Sequence, residues 1–346
     1  MEILNGVFFH AIGASGAALC YTPQKKVHGW SWQTYWLAQA FVCWLLLPVV
    51  IAWLTIPNLA AVLEQAPASA MQRSFFLGMA YGVGGTAFGI AIRYVGFSLT
   101  YAISVGISCV LGTLLPPLVN DTLGEVLQTN GAAYLMSGVA LGLAGIALCG
   151  VAGRRKEKDL DQQQQHRAGF SLAKGLPLCL LAGILSALYG FSIDQGKPIA
   201  DVAEQMGAGS LRTNVVYIFS NTGAFVTTLI YCLYLHSKQK TFREFGSLAG
   251  NGGAISVNYV MALLTGLLWY GQFFFYGLGT VRMGKYDFTS WAIHMIMLVL
   301  FSTLAGVMMK EWKHCRRHTK NVLAGALAVL VAAVLLLTYG NYISSV

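Results

Sequence analysis

Charge is what this chain has least of. Only 10% of its 346 residues are Asp, Glu, Lys or Arg, while 56% are hydrophobic. A soluble domain carries about 25% charged residues, so a water-soluble enzyme or binding module is excluded. Metal and redox chemistry have little to stand on. The seven cysteines (Cys20, Cys43, Cys109, Cys149, Cys179, Cys232 and Cys315) show no C-x-x-C pairing and lie mostly in apolar stretches. They read as packing residues. There is no phosphate-binding loop, hydrolase elbow, zinc motif or haem motif. No cofactor and no metal are therefore expected, the chain is not expected to be an enzyme, and ATP-driven work would need a separate subunit. The start also lacks the basic n-region of a cleavable signal. Glu2 opens an apolar stretch that runs on to Tyr21-Thr22-Pro23 and is expected to stay as a first helix.

What the chain does have is long apolar runs. Ten of them reach the roughly 17–25 residues needed to cross a bilayer: near 4–22, 33–56, 74–94, 97–119, 131–152, 174–193, 213–235, 257–280, 288–309 and 321–340. The expected fold class is all-α integral membrane, with ten transmembrane helices in two inverted five-helix repeats. Residues 1–153 would form the first repeat, 154–173 a polar cytoplasmic linker with its glutamine run, and 174–346 the second repeat. The net charge of +9 would suggest nucleic acid on a soluble protein. Here the basic residues sit in short runs between spans, and membrane topology explains them without nucleic acid. Loops after the odd-numbered spans hold 17 Lys and Arg, and the other side holds 5. The positive-inside rule puts the first set in the cytoplasm and both termini in the periplasm.

Five spans per half invert one half relative to the other. Weak repeats agree with this. Gly78, Gly89 and Gly96 match Gly266, Gly277 and Gly284 at a constant offset of 188, and Ser15, Gln24 and Lys26 match Ser186, Gln195 and Lys197 at 171. Repeats of this kind hold the substrate between the halves and move it by rocking.

Ionisable groups inside spans are costly and mark function. The densest stretch is Leu263–His294, which carries Gln272, Arg282, Lys285, Asp287 and His294 among tryptophans and tyrosines. On the ninth span Asp287, Trp291 and His294 share one face at i, i+4, i+7. Asp287 is open to two readings: a helix N-cap or a proton-carrying carboxylate. His294 likewise is a buried imidazole bonded to backbone, or a proton relay and sugar-hydroxyl partner. His10, Gln272 and His294 fall at comparable depth on three spans. Gln272, Tyr276 and Trp291 are the expected sugar contacts, with His10 and His294 as relay or hydroxyl partners, and Asp287 with His294 as the proton-coupling groups. Trp30, Trp32, Trp36 and Trp312 read as interfacial belts. Asn221 reads as an interhelical hydrogen bond. Asp194 closes the sixth span, with Lys197 and Arg93 as helix-end anchors.

Three stretches carry a likeness: FFHAIGASGAALCYTPQKKVHGWSWQTYW (8–36), LGMAYGVGGTAFGIAIRYVGFSLTYAISVGISCVLGTLLPPLVN (77–120) and GLLWYGQFFFYGLGTVRMGKYDFTSWAIHM (266–295), followed by KEW (310–312). They resemble the L-rhamnose–proton symporters, a family placed in the drug/metabolite transporter superfamily. The likeness runs from the first span to the last and is looser over 57–73, 121–173 and 194–260. It implies uptake of a 6-deoxyhexose with protons across a bacterial inner membrane, by ten helices in two inverted repeats. The expected partners are a small sugar, protons and the lipid bilayer, with a homodimer as one option for the assembly. The alternative is a drug, metabolite or amino-acid exporter of the same superfamily. A membrane enzyme or sugar sensor is the reading from another class, and no catalytic constellation supports it.

Overall fold

The computed structural model describes residues 2–20, 22–95, 97–161, 171–246, 252–284, 287–310 and 312–345. Among these, ten helices are long and apolar enough to cross a membrane, and there is no strand. We number them α1 (Glu2–Leu19), α2 (Trp32–Thr55), α3 (Ala68–Val95), α4 (Phe97–Val119), α5 (Ala132–Asp161), α6 (Leu172–Gln195), α7 (Asn214–Gln239), α8 (Gly252–Thr280), α9 (Thr289–Met308) and α10 (Arg317–Ser345). Each sits on one of the ten expected apolar runs. A bilayer leaves a spanning backbone no water to bond, so runs of this length close their hydrogen bonds within the helix. The ends carry ordinary stop signals. Asn58, just beyond α2, and Lys240, just beyond α7, adopt the left-handed conformation with φ of 49° and 56°.

Several boundaries differ from the sequence reading. Helix α3 starts six residues before the expected 74, and α5 runs on to Asp161. Two short helices, Leu59–Gln65 and Lys197–Gln205, stand where loops were expected. Their apolar sides explain them: Val62, Ile199, Ala200 and Ala203 are buried in one cluster with Ala52, Val215 and Val216. The break expected at Gly96, residues 162–170 of the expected linker, and Lys285 and Tyr286 lie outside the described residues.

The chain forms two compact bodies. One comprises Met1–Ala18, Gly84–Phe191 and Leu278–Val346, and the other Leu19–Val83 and Ser192–Gly277. In the first, α5 packs along α10 and α4, and α9 packs on α4 and α10. At its end the extension of α5 meets the start of α10. There Asp159 accepts hydrogen bonds from the Arg316 backbone N–H (2.9 Å) and the Thr319 hydroxyl (2.7 Å), and the Lys156 ammonium lies 4.7 Å from the centre of the Trp312 ring. In the second body α7 packs along α2.

Helix α2 is not uniform. Residues Phe41–Leu46 are wound as a π-helix, and the Leu47 N–H bonds to the Val42 carbonyl five residues back. Pro48 supplies the cause. Proline lacks an N–H, and its ring clashes with the carbonyl four residues earlier. A wider turn relieves that clash but leaves the Cys43 carbonyl, five residues before Pro48, without an amide. The Asn221 side chain on α7 donates to this carbonyl at 3.4 Å. The interhelical role expected for Asn221 is met.

Candidate functional site

In the first body, His10 on α1 and His294 on α9 come together. Their ring centroids are 6.0 Å apart at 73°, and both side chains are buried. What lets α1 approach is the absence of side chains. A Cβ on Gly279 of α8 would lie 2.9 Å from His10 Nε2 and 2.9 Å from the Gly6 carbonyl, so α1 and the end of α8 touch through backbone. Just beyond, the Arg282 guanidinium sits 4.8 Å from the centre of the Phe9 ring and donates to the Leu278 carbonyl at 2.7 Å.

Trp291 lies one turn before His294. Its indole N–H donates to the Ser108 carbonyl on α4 at 2.9 Å. Its ring is wedged between two glycines: a Cβ would fall 2.4 Å from its Nε1 at Gly112 and 2.9 Å from its Cδ2 at Gly190. The wedge fixes the rotation of α9 and so the direction of His294. Further support comes at the first turn of α9, where Thr289 and Asn341 of α10 are hydrogen-bonded at 2.9 Å.

Asp287 is placed differently from the sequence reading. Helix α9 begins at Thr289, with Phe288 at the N-cap position and no side-chain cap bond. Asp287 stands in the preceding turn, half-buried, and its carbonyl accepts from the Ser290 N–H at 2.9 Å. The shared helical face therefore holds for Trp291 and His294, while Asp287 stands at the mouth of the helix. Asp194 is paired with Lys197 at 2.9 Å.

Gln272 and Tyr276 belong to the second body. Both are buried, one turn apart on α8. Beside them Tyr217 of α7 donates its hydroxyl to the Phe273 carbonyl at 2.6 Å. One turn earlier on α8 is a cluster that the sequence reading missed. Trp36 and Trp44 of α2 and Trp269 of α8 meet edge to face, with centroids 5.6 Å (Trp36–Trp269), 5.4 Å (Trp44–Trp269) and 6.4 Å (Trp36–Trp44) apart, and Tyr81 adds a fourth ring 5.9 Å from Trp44. Trp36 is thus not an interfacial belt residue as expected: it is 5% exposed and packed among rings, while Trp32 stacks on it at 5.1 Å. Gln39, fully buried, is one turn along α2 from Trp36. Its Oε1 is 3.5 Å from the Cys43 thiol. The available signal was Trp36, Gln39 and Cys43 at i, i+3, i+7, followed by a proline in mid-span.

Among the described residues no group of His, Cys, Asp and Glu is arranged to hold a metal ion. What the two bodies offer is a buried imidazole pair in one, and buried amides among aromatic rings in the other.

Comparison with known proteins agrees with the likeness seen in the sequence. The family model described as L-rhamnose-proton symport protein (RhaT) matches residues 1–341. Proteins named L-rhamnose-proton symporter from Cronobacter sakazakii and from Shigella boydii serotype 18 are each 34% identical over 334 residues, and one from Escherichia coli (strain 55989) is 33% identical. In each case the match covers 96% of both chains. With ten membrane-length helices and a match along nearly its whole length, this multi-pass membrane protein belongs to the L-rhamnose-proton symport protein family.

Proposed function

We propose that this chain imports L-rhamnose, or a closely related 6-deoxyhexose, together with protons by alternating access. The whole-length family match carries the substrate and the coupling. The observation in the structure that supports coupling is the buried pair His10–His294. Two imidazolium charges 6.0 Å apart repel by about 3 kcal/mol at an effective dielectric near 20. The pair therefore takes up one proton at a time, as a carrier that loads and releases a single proton requires. Asp287, in the turn that leads into α9, is the carboxylate through which that proton enters or leaves. Trp291 holds His294 in place, and Gln272 and Tyr276 contribute polar atoms towards the sugar.

The wider reading has two inverted five-helix repeats, a place in the drug/metabolite transporter superfamily, an inner-membrane location and periplasmic termini. The five-plus-five helix count and the distribution of Lys and Arg support it.

The test uses purified protein in liposomes with a weakly buffered interior. L-rhamnose added outside acidifies the interior as sugar enters, and an imposed inward proton gradient drives accumulation above the outside concentration. Uptake indifferent to the gradient removes the coupling. Full accumulation by Asp287→Asn removes that residue from the proton path.

A further inference from the structure

The aromatic cluster of the second body contains polar atoms that its own packing does not use. Gln39 Nε2 and Trp44 Nε1 are buried, and neither has a hydrogen-bond partner among the described residues. A buried donor without a partner is costly, and proteins seldom leave one unanswered. The cost is greater inside a membrane span, where no bulk water reaches. Leu or Phe at these positions would fill the same space at no such cost, so packing alone does not account for an amide here.

Local geometry supports a ligand. Gln39 sits where α2 and α8 touch: a Cβ on Gly266 would lie 3.3 Å from the Gln39 carbonyl and 2.5 Å from Val42. Trp269 is one turn along α8 from that contact and meets both Trp36 and Trp44. The π-helix begins two residues after Gln39. Such turns collect at functional sites, because they rotate side chains out of the ordinary helical register. A neutral amide donor one turn along α2 from Trp36, beside a cluster of indoles in which no charged side chain takes part, fits a neutral polyol whose C–H faces and methyl group press on rings while its hydroxyls accept from N–H groups. An anion or a cation would lack a counter-charge there.

We propose that Gln39, with the rings of Trp36, Trp44 and Trp269, forms the subsite of the second body that grips the sugar. Gln39 Nε2 and Trp44 Nε1 donate to hydroxyls of the bound sugar, and the indole faces take its apolar side. The proposal rests on the symporter reading above and names residues for its sugar arm that nothing in the family match assigns.

The experiment measures L-rhamnose binding to purified full-length protein by calorimetry, alongside the thermal midpoint with and without sugar. Gln39→Leu removes the unanswered donor while keeping the volume. The expected result is a dissociation constant weakened about ten- to hundred-fold, with the sugar-free midpoint unchanged or raised. Trp44→Phe removes the second donor and should weaken binding about tenfold, while Trp53→Phe, at a position 71% exposed on the same helix, should bind as the parent does. If Gln39→Leu keeps the parent's affinity, the subsite is overturned, and the symporter reading stands provided the parent protein still shows proton-coupled uptake. The subsite is equally overturned if Gln39→Leu lowers the sugar-free midpoint and leaves the affinity of the folded fraction unchanged, because the amide is then structural. If the parent protein neither binds nor transports any of a panel of neutral hexoses and 6-deoxyhexoses, the symporter reading falls and takes the subsite with it.

Discussion

Gly112→Ala puts the wedge of Trp291 to the test. The new methyl carbon would lie 2.4 Å from the indole Nε1 and 2.5 Å from Cδ1. Ordinary contact begins near 3.5 Å, so the overlap is about 1 Å against a rigid ring whose other side abuts Gly190. The ring cannot yield without leaving the Ser108 carbonyl, to which it donates at 2.9 Å. Overpacking of this kind costs about 1–3 kcal/mol, and loss of the hydrogen bond about 1 kcal/mol. Replacing a mid-helix glycine by alanine returns about 1 kcal/mol of propensity. The net expectation is a loss of about 1–3 kcal/mol. Gly325→Ala on α10 is the matched control: nothing lies within 4 Å of its Cβ, so propensity acts alone and the midpoint should hold or rise. Thermal unfolding of the detergent-purified variants, followed by size-exclusion chromatography, ranks them. The double variant Gly112→Ala with Trp291→Phe should recover part of the loss, because the smaller phenyl ring has no Nε1, the atom in closest collision. Transport reports separately. His294 is one turn from Trp291, so proton-driven accumulation should fall further than the remaining folded fraction explains. A Gly112→Ala protein as stable and as active as Gly325→Ala would refute the wedge.

Two further outcomes follow from contacts already described. His294→Gln keeps a hydrogen-bonding side chain but no titrating one; sugar exchange across the membrane should persist while accumulation driven by the proton gradient is lost, as read by isotope counterflow against net uptake. Asn221→Ala strips the Cys43 carbonyl of its donor and should cost about 0.5–1.5 kcal/mol. Adding Pro48→Ala should return part of this, since the restored N–H stands five residues from Cys43, and equal midpoints for the single and double variants would contradict the account of the π-helix.

How much of this was legible in the sequence depended on length and on neighbours. All ten long helices could be read, because 18 or more apolar residues in a row have few structural alternatives. The helices Leu59–Gln65 and Lys197–Gln205 could not: seven and nine residues give about two turns, too few to show a period beside Pro57, Pro67 and Pro198. Depth alone grouped His10, Gln272 and His294; the two imidazoles meet in the first body, while Gln272 belongs to the second, because depth fixes height in the membrane and not which helices are neighbours. Trp36 was misplaced for a related reason. Tryptophan near the start of a span suits an interface belt, and nothing local distinguishes that from a ring turned inward against Trp269. Gln39 was overlooked because an uncharged amide raises no electrostatic alarm. Its meaning lies in the tryptophan cluster that begins one turn away at Trp36, whose rings come from α2 and α8, more than 200 residues apart in sequence. Asp287 was set on the helix because an error of one or two residues at a helix start is within the resolution of pattern reading, and Asp287 precedes Thr289 by two.

Orientation is the last expectation with an experimental handle, and the cysteines provide it. All but Cys149, itself half-buried, are buried, so the parent protein should react slowly with a membrane-impermeant thiol reagent. Gln239→Cys lies at the exposed end of α7 on the side that holds 17 Lys and Arg, and Ser345→Cys ends α10 on the side that holds 5. An even number of crossings returns the C-terminus to the side of the N-terminus, and an odd number per half inverts the second repeat. Labelling of intact cells should reach Ser345→Cys and spare Gln239→Cys until the membrane is opened. The reverse order would place both termini in the cytoplasm against the charge distribution. It would leave the inverted repeat intact, since that depends on five crossings per half and not on their sign. Only a C-terminus found opposite the N-terminus would break the repeat, because one of the ten helices would then fail to cross.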